Sequence, residues 1–170
     1  MASTQQTAST AQGRAATRDG AEAERGTAPG PAPGNALEQA LLAGLVAFAA
    51  YHLVLAVFMA AAPHAFFKAI GPFGGYNSHY IRDTASFEGA LGFGLLVAIR
   101  RPSWRVPVLA VVTVQFGLHS LNHLLDIEKA SPRWTGWFDF FALLASTVLL
   151  ARLWRAAARL REDTPERSST

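Results

Sequence analysis

The chain has 170 residues, 51% of them hydrophobic and 16% charged, with a formal net charge of +3 and no cysteine. The length suits one domain, and the charge content is too low for an ordinary soluble one. The missing thiol excludes disulfides, iron–sulfur clusters, thiol catalysis and all-Cys zinc sites, while basic residues that flank apolar runs instead of forming a patch point to bilayer headgroups and away from nucleic acid.

Residues 1–36 are rich in Ala, Thr, Ser, Gln and Gly and end in Ala28-Pro29-Gly30-Pro31-Ala32-Pro33-Gly34. Such a segment cannot bury enough apolar surface to order itself, so a disordered cytoplasmic tail is expected. It lacks the apolar centre of a secretory signal close behind a short basic start, and the first hydrophobic run is therefore expected to stay as an anchor. A membrane domain over 37–155 and a polar cytoplasmic tail over 156–170, helical at first and then frayed, complete the expected organisation.

A hydrocarbon core of about 30 Å takes about 20 apolar residues of helix, and four segments meet that need. The first, 39–62, has no charged residue and includes His52; Asn35 and Glu38 would cap its start. The second, 80–99, carries Arg82, Asp83 and Glu88, which its partners must shelter. Before it, a loop over 63–79 is punctuated by Gly71, Pro72, Gly74 and Gly75. The third, 106–127, opens with Pro107 in its first turn, where a missing N–H does no harm. The fourth, 134–153, holds Asp139 and places Trp134 and Trp137 at an interface. The expected fold is an all-α, four-helix transmembrane bundle.

Arginine and lysine decide the orientation, because short cytoplasmic loops collect them. Arg25, Arg100, Arg101, Arg105, Arg152, Arg155, Arg159, Arg161 and Arg167 lie on one side; Lys68, Arg82, Lys129 and Arg133 lie on the other. A multi-pass protein of the cell membrane with both termini cytoplasmic follows. The outer halves of the helices then hold His52, His79, Asp83, Glu88, His119, His123, Asp126 and Asp139, and the cytoplasmic halves are almost wholly apolar. This asymmetry predicts a cup opening outward.

Ala49, His52, Ala56 and Ala60 share one face of the first helix, and Ala85, Gly89 and Gly92 one face of the second, which allows close approach in lipid. A lone carboxylate at membrane depth is protonated or paired, and His52 is the expected partner of Glu88. Asp83 and Glu88 lie about 140° apart around a regular helix and can share a site only if the helix starts late or bends.

The most concentrated polar run is His119-Ser120-Leu121-Asn122-His123-Leu124-Leu125-Asp126. His119, His123 and Asp126 fall on one helical stripe, which Gln115 extends. Two neutral imidazoles and a carboxylate suit a divalent metal, with further ligands needed from His79, Asp83 or Glu88. The same residues equally suit a hydrogen-bonded seam or a pocket for an organic molecule. His52 and His119 at similar depth raise bis-imidazole haem ligation, but Glu88 and Asn122 on the same faces speak against it. At the mouth, Asn77 or Ser78 would cap the second helix, with His79, Arg82 and Asp83 beside them to hold an anionic headgroup or orient an imidazole.

Gly71-Pro72-Phe73-Gly74-Gly75-Tyr76-Asn77-Ser78-His79-Tyr80-Ile81-Arg82-Asp83 leading into one helix, and His119-Ser120-Leu121-Asn122-His123 in the next, resemble small four-helix membrane proteins of high-GC actinobacteria. The chain is more loosely similar to the DoxX-like group of bacterial four-helix membrane proteins. The resemblance implies a topology over Ala40–Leu153 and no particular reaction.

The residues together support binding of a small molecule or lipid headgroup in a cup lined by Glu88, His119, His123 and Asp126, with His52, His79, Arg82, Asp83 and Asn122 around it. Two other readings stand beside this one. The first is a membrane enzyme using Glu88 and His119 as acid and base, or a metal centre at His119, His123 and Asp126; the second is an accessory subunit or homo-oligomer in which the polar groups serve assembly.

Overall fold

The computed structural model describes residues 33–71 and 74–163. Among these residues the chain is all-α, without a strand. The helices are α1 (Pro33–Ala61), α2 (Pro63–Ala69), α3 (Ser78–Arg100), α4 (Pro102–Leu125) and α5 (Arg133–Glu162), with a single 3₁₀ turn, Ile127–Lys129, before the last. The expectations for residues 1–32 and 164–170 lie outside the described residues.

The four long helices run alternately up and down, as their short connections require. α1 packs chiefly on α3 and α4 on α5; α3 touches α4 less, and α1 touches α5 least. Gln39–Ala61 has no charge to place in water, so its inward face is picked by shape. Leu41, Leu45, Ala49, His52, Ala56 and Met59 are buried at steps of three and four. Met59 thus takes the place expected of Ala60, which is exposed.

Small residues set the α1–α3 spacing. A side chain at Gly92 would lie 2.8 Å from Leu53 Cγ and 3.2 Å from His52 Cβ. Gly92→Val is therefore expected to push the pair apart and cost about 1–3 kcal/mol, read as a lower unfolding midpoint. Gly94→Ala is the control, because its Cβ would make ordinary contact with Val108 at 3.7 Å.

The main core fills only one end of the bundle. Leu45 of α1, Leu95 of α3, Leu109 and Val112 of α4 and Leu150 of α5 are all fully buried there. At the opposite end a small cluster of Met59, Ile81 and Ala85 packs with Leu55, Phe66 and Phe67. Between α1 and the α4–α5 pair that end stands open.

Several boundaries differ from the sequence reading. α1 begins at Pro33, inside the segment expected to be tail; proline is tolerated in a first turn, and Glu38 is tied down by Arg105 Nη1 at 3.3 Å instead of capping the helix. α4 begins at Pro102, so Pro107 lies within it. Buried Arg105 explains the earlier start: its Nε donates to Ala98 O at 3.3 Å, taking one of the carbonyls left open at the end of α3. α5 continues to Glu162, through the expected tail, because Leu153 and Ala157 are core and Leu160 packs on it. α2 occupies part of the expected loop, held by Phe66 and Phe67, and Gly74 turns the chain after it at φ +65°.

Gly34–Ala61, Pro102–Leu125 and Arg133–Glu162 are long and apolar enough to cross a membrane. α3, with Arg82, Asp83 and Glu88, does not meet that standard by composition. The outer surface is apolar to match: Val54 is 70% exposed, Phe93 65%, Leu118 59% and Phe141 57%.

Candidate functional site

His52 and Glu88 meet across the α1–α3 contact, Nδ1 to Oε2 at 2.6 Å, with side-chain exposures of 1% and 10%. The close approach at Gly92, one turn beyond Glu88, brings the two helices near enough for that bond. The imidazole is wedged edge-on against Phe116 and Tyr51, at ring separations of 5.6 and 5.3 Å. Its Nε2 is buried and has no hydrogen-bond partner among the described residues. The pairing expected from sequence is present, and it sits behind a wall, not in an open site.

In front of that wall lies a cavity of 920 Å³. Phe48, Tyr51 and Leu55 of α1 form one side; Phe66 and Phe67 of α2 and Tyr80 and Thr84 of α3 close another. Phe116, His119, Asn122, His123 and Asp126 contribute from α4, and Phe138, Asp139, Ala142 and Ser146 from α5. Phe116 stands edge-on to Phe48 at 5.7 Å and joins the two helix pairs at the cavity floor. The rest of the lining is a broad aromatic and aliphatic surface carrying a few polar groups, the composition typical of sites for organic ligands.

Those polar groups cluster. The rings of His119 and His123 meet edge to face at 4.8 Å, as a spacing of four on one helix allows. His123 Nδ1 faces Asp139 Oδ2 of α5 at 3.9 Å. Glu88 and Asp139 both lie within electrostatic reach of His119. Asp126, at the rim, binds Lys129 Nζ at 2.7 Å.

The sequence-derived set therefore divides. His119, Asn122, His123 and Asp126 line one cavity, whereas His52 and Glu88 back its wall. His79 and Asp83 pair with each other at 3.4 Å on the exposed flank of α3, and Arg82 is exposed there as well. None of these three lines the cavity, because the Asn77 cap fixes the register of the first turn: its Oδ1 accepts from the amides of His79 and Tyr80, both at 3.1 Å. Gln115 stays behind the stripe with Oε1 buried.

Among the described residues no three His, Asp or Glu side chains are disposed to hold an ion, since Asp126 turns to Lys129. A bis-imidazole axis through His52 and His119 has no support either, because His52 is bonded to Glu88 and enclosed by aromatic rings.

Tyr51, Phe66 and Phe67 were not singled out from sequence: Tyr51 precedes a noticed histidine, and the two phenylalanines lie in what read as loop. Asp139 was noticed among the polar groups of the outer half, but its place in the cavity beside His123 was not. Comparison with protein families, curated proteins and solved structures finds no match to this chain.

Proposed function

We propose that the protein is a four-span membrane protein that binds an amphiphilic small molecule or lipid in its cavity, apolar body against the aromatic walls and polar head at His119, Asn122, His123 and Asp139. The observation that carries this reading is the 920 Å³ cavity, open at one end of a bundle whose outer surface is apolar. α3 joins the other three spans in this reading, since His52 satisfies its buried carboxylate and its remaining charges sit in the first turns, near the membrane surface. The arginine-rich end, with Arg100, Arg101, Arg155 and Arg159, faces the cytoplasm, so the cup opens outward.

One contact favours a second reading. An imidazole facing a carboxylate across two helices, as His123 faces Asp139, is a unit for moving protons, so acid–base chemistry on a membrane-soluble substrate belongs to the same cavity. That role falls to His119, His123 and Asp139; Glu88 is held by His52 and does not line the space.

The chain has no cysteine, so single introduced thiols test the arrangement cleanly. Asn122→Cys at the rim and Ser146→Cys on the inner wall are expected to react with a membrane-impermeant maleimide added outside intact cells. Val54→Cys, on the outer face of α1, is expected to stay silent. Labelling at Val54→Cys, or protection of both cavity positions, contradicts the reading.

A further inference from the structure

Resting on the reading of the cavity as a ligand cup, we propose that it selects lipophilic cations, of the quaternary ammonium or phosphonium class, over neutral and anionic molecules of the same shape. The charges on its walls are one-sided. Among the described residues no Lys or Arg lines the cavity, whereas the carboxylates of Asp126 and Asp139 do. Lys129 binds the first of them at the rim. Asp139, its side chain 25% exposed, has no Lys or Arg partner among the described residues and faces an imidazole 3.9 Å away.

The walls reinforce that sign. Phe48, Tyr51, Phe67, Phe116 and Phe138 surround the space, and the faces of aromatic rings attract cations most strongly where water is excluded. A carboxylate beside an apolar space loses hydration, and a neutral imidazole brings it no opposite charge, so its attraction for an entering cation is strong in the low dielectric. A quaternary cation has no N–H or O–H to satisfy, so a wall with few acceptors suits it. An anion would meet Asp139 at short range with no Lys or Arg on the lining to compensate, only the imidazoles of His119 and His123. The volume of 920 Å³ admits a drug-sized organic ion.

The experiment uses the full chain in phosphatidylcholine nanodiscs, with three probes of related shape: tetraphenylphosphonium, triphenylphosphine oxide and tetraphenylborate, each corrected for uptake by empty discs. The phosphonium is expected to bind saturably and most tightly, the neutral oxide more weakly, and the borate not at all. Asp139→Asn, checked for unchanged helical content, is expected to lower the preference for the phosphonium over the oxide about tenfold or more. Equal affinity for cation and neutral probe, unmoved by Asp139→Asn, overturns the charge selection and leaves the cup standing. Preferred binding of the borate overturns it as well. Saturable binding of none of the three removes the cup and this proposal together.

Discussion

Replacing Glu88 by alanine is expected to destabilise the bundle by about 3–5 kcal/mol, because removing one partner of a buried pair strands the other. The partner is His52, wholly buried, hydrogen-bonded to Glu88 over 2.6 Å and enclosed by Phe116 and Tyr51. Its Nε2 already lacks a hydrogen bond among the described residues, so loss of the Nδ1 contact leaves the whole ring unsatisfied in an apolar setting. Glu88→Gln keeps an acceptor near Nδ1 and is expected to cost much less. The double variant His52→Leu/Glu88→Leu, which removes both polar groups and fills the space with hydrocarbon, is expected to recover most of the loss. Reversible unfolding followed by helical circular dichroism distinguishes these cases. An alanine variant within about 1 kcal/mol of the wild type would show that the pair is not desolvated as described.

The fold was legible wherever one physical rule dominates. Gln39–Ala61 carries no charge, and a run of that length reads directly as a span. The ends were less legible, because an average over composition hides position. Arg152, Arg155 and Arg159 make the last segment look like a solvated tail, yet Leu153, Ala157 and Leu160 recur between them at steps of four and three. That stripe packs on the core and carries α5 onward to Glu162. α2 is only seven residues long and is held by tertiary packing of Phe66 and Phe67, which local sequence does not encode.

Within the site, pairings forced by burial were readable and pairings set by neighbourhood were not. A carboxylate within an apolar run must find a partner, so Glu88 pointed to His52, the histidine at matching depth. Asp126 and Asp139 were harder to tell apart. Both lie near the same end of the bundle, but Asp126 has Lys129 three residues away and turns outward to it, leaving Asp139 to face His123. Which helix stands beside α4 decides that outcome, and hydropathy carries no such information. The same limit applies to the metal reading: a stripe on one helix supplies direction, whereas a coordination sphere needs convergence from several, and no such group of three occurs among the described residues.

Ala142 marks the place where the account is most exposed. It lines the cavity on α5, one turn from both Asp139 and Ser146, and the main core lies toward the other end of the bundle. An indole placed there fills the space that a ligand body would use and leaves the packed end untouched. Ala142→Trp is therefore expected to fold with an unchanged unfolding midpoint and to weaken binding at least tenfold, about 1.4 kcal/mol. The direct measurement is saturable binding of the neutral probe triphenylphosphine oxide to wild type and Ala142→Trp, side by side in nanodiscs, which is independent of any preference for charge. Binding by the wild type that is lost in the folded variant is the predicted result. Equal binding by both, or by neither, would contradict the central claim that the space between the helix pairs is a ligand site.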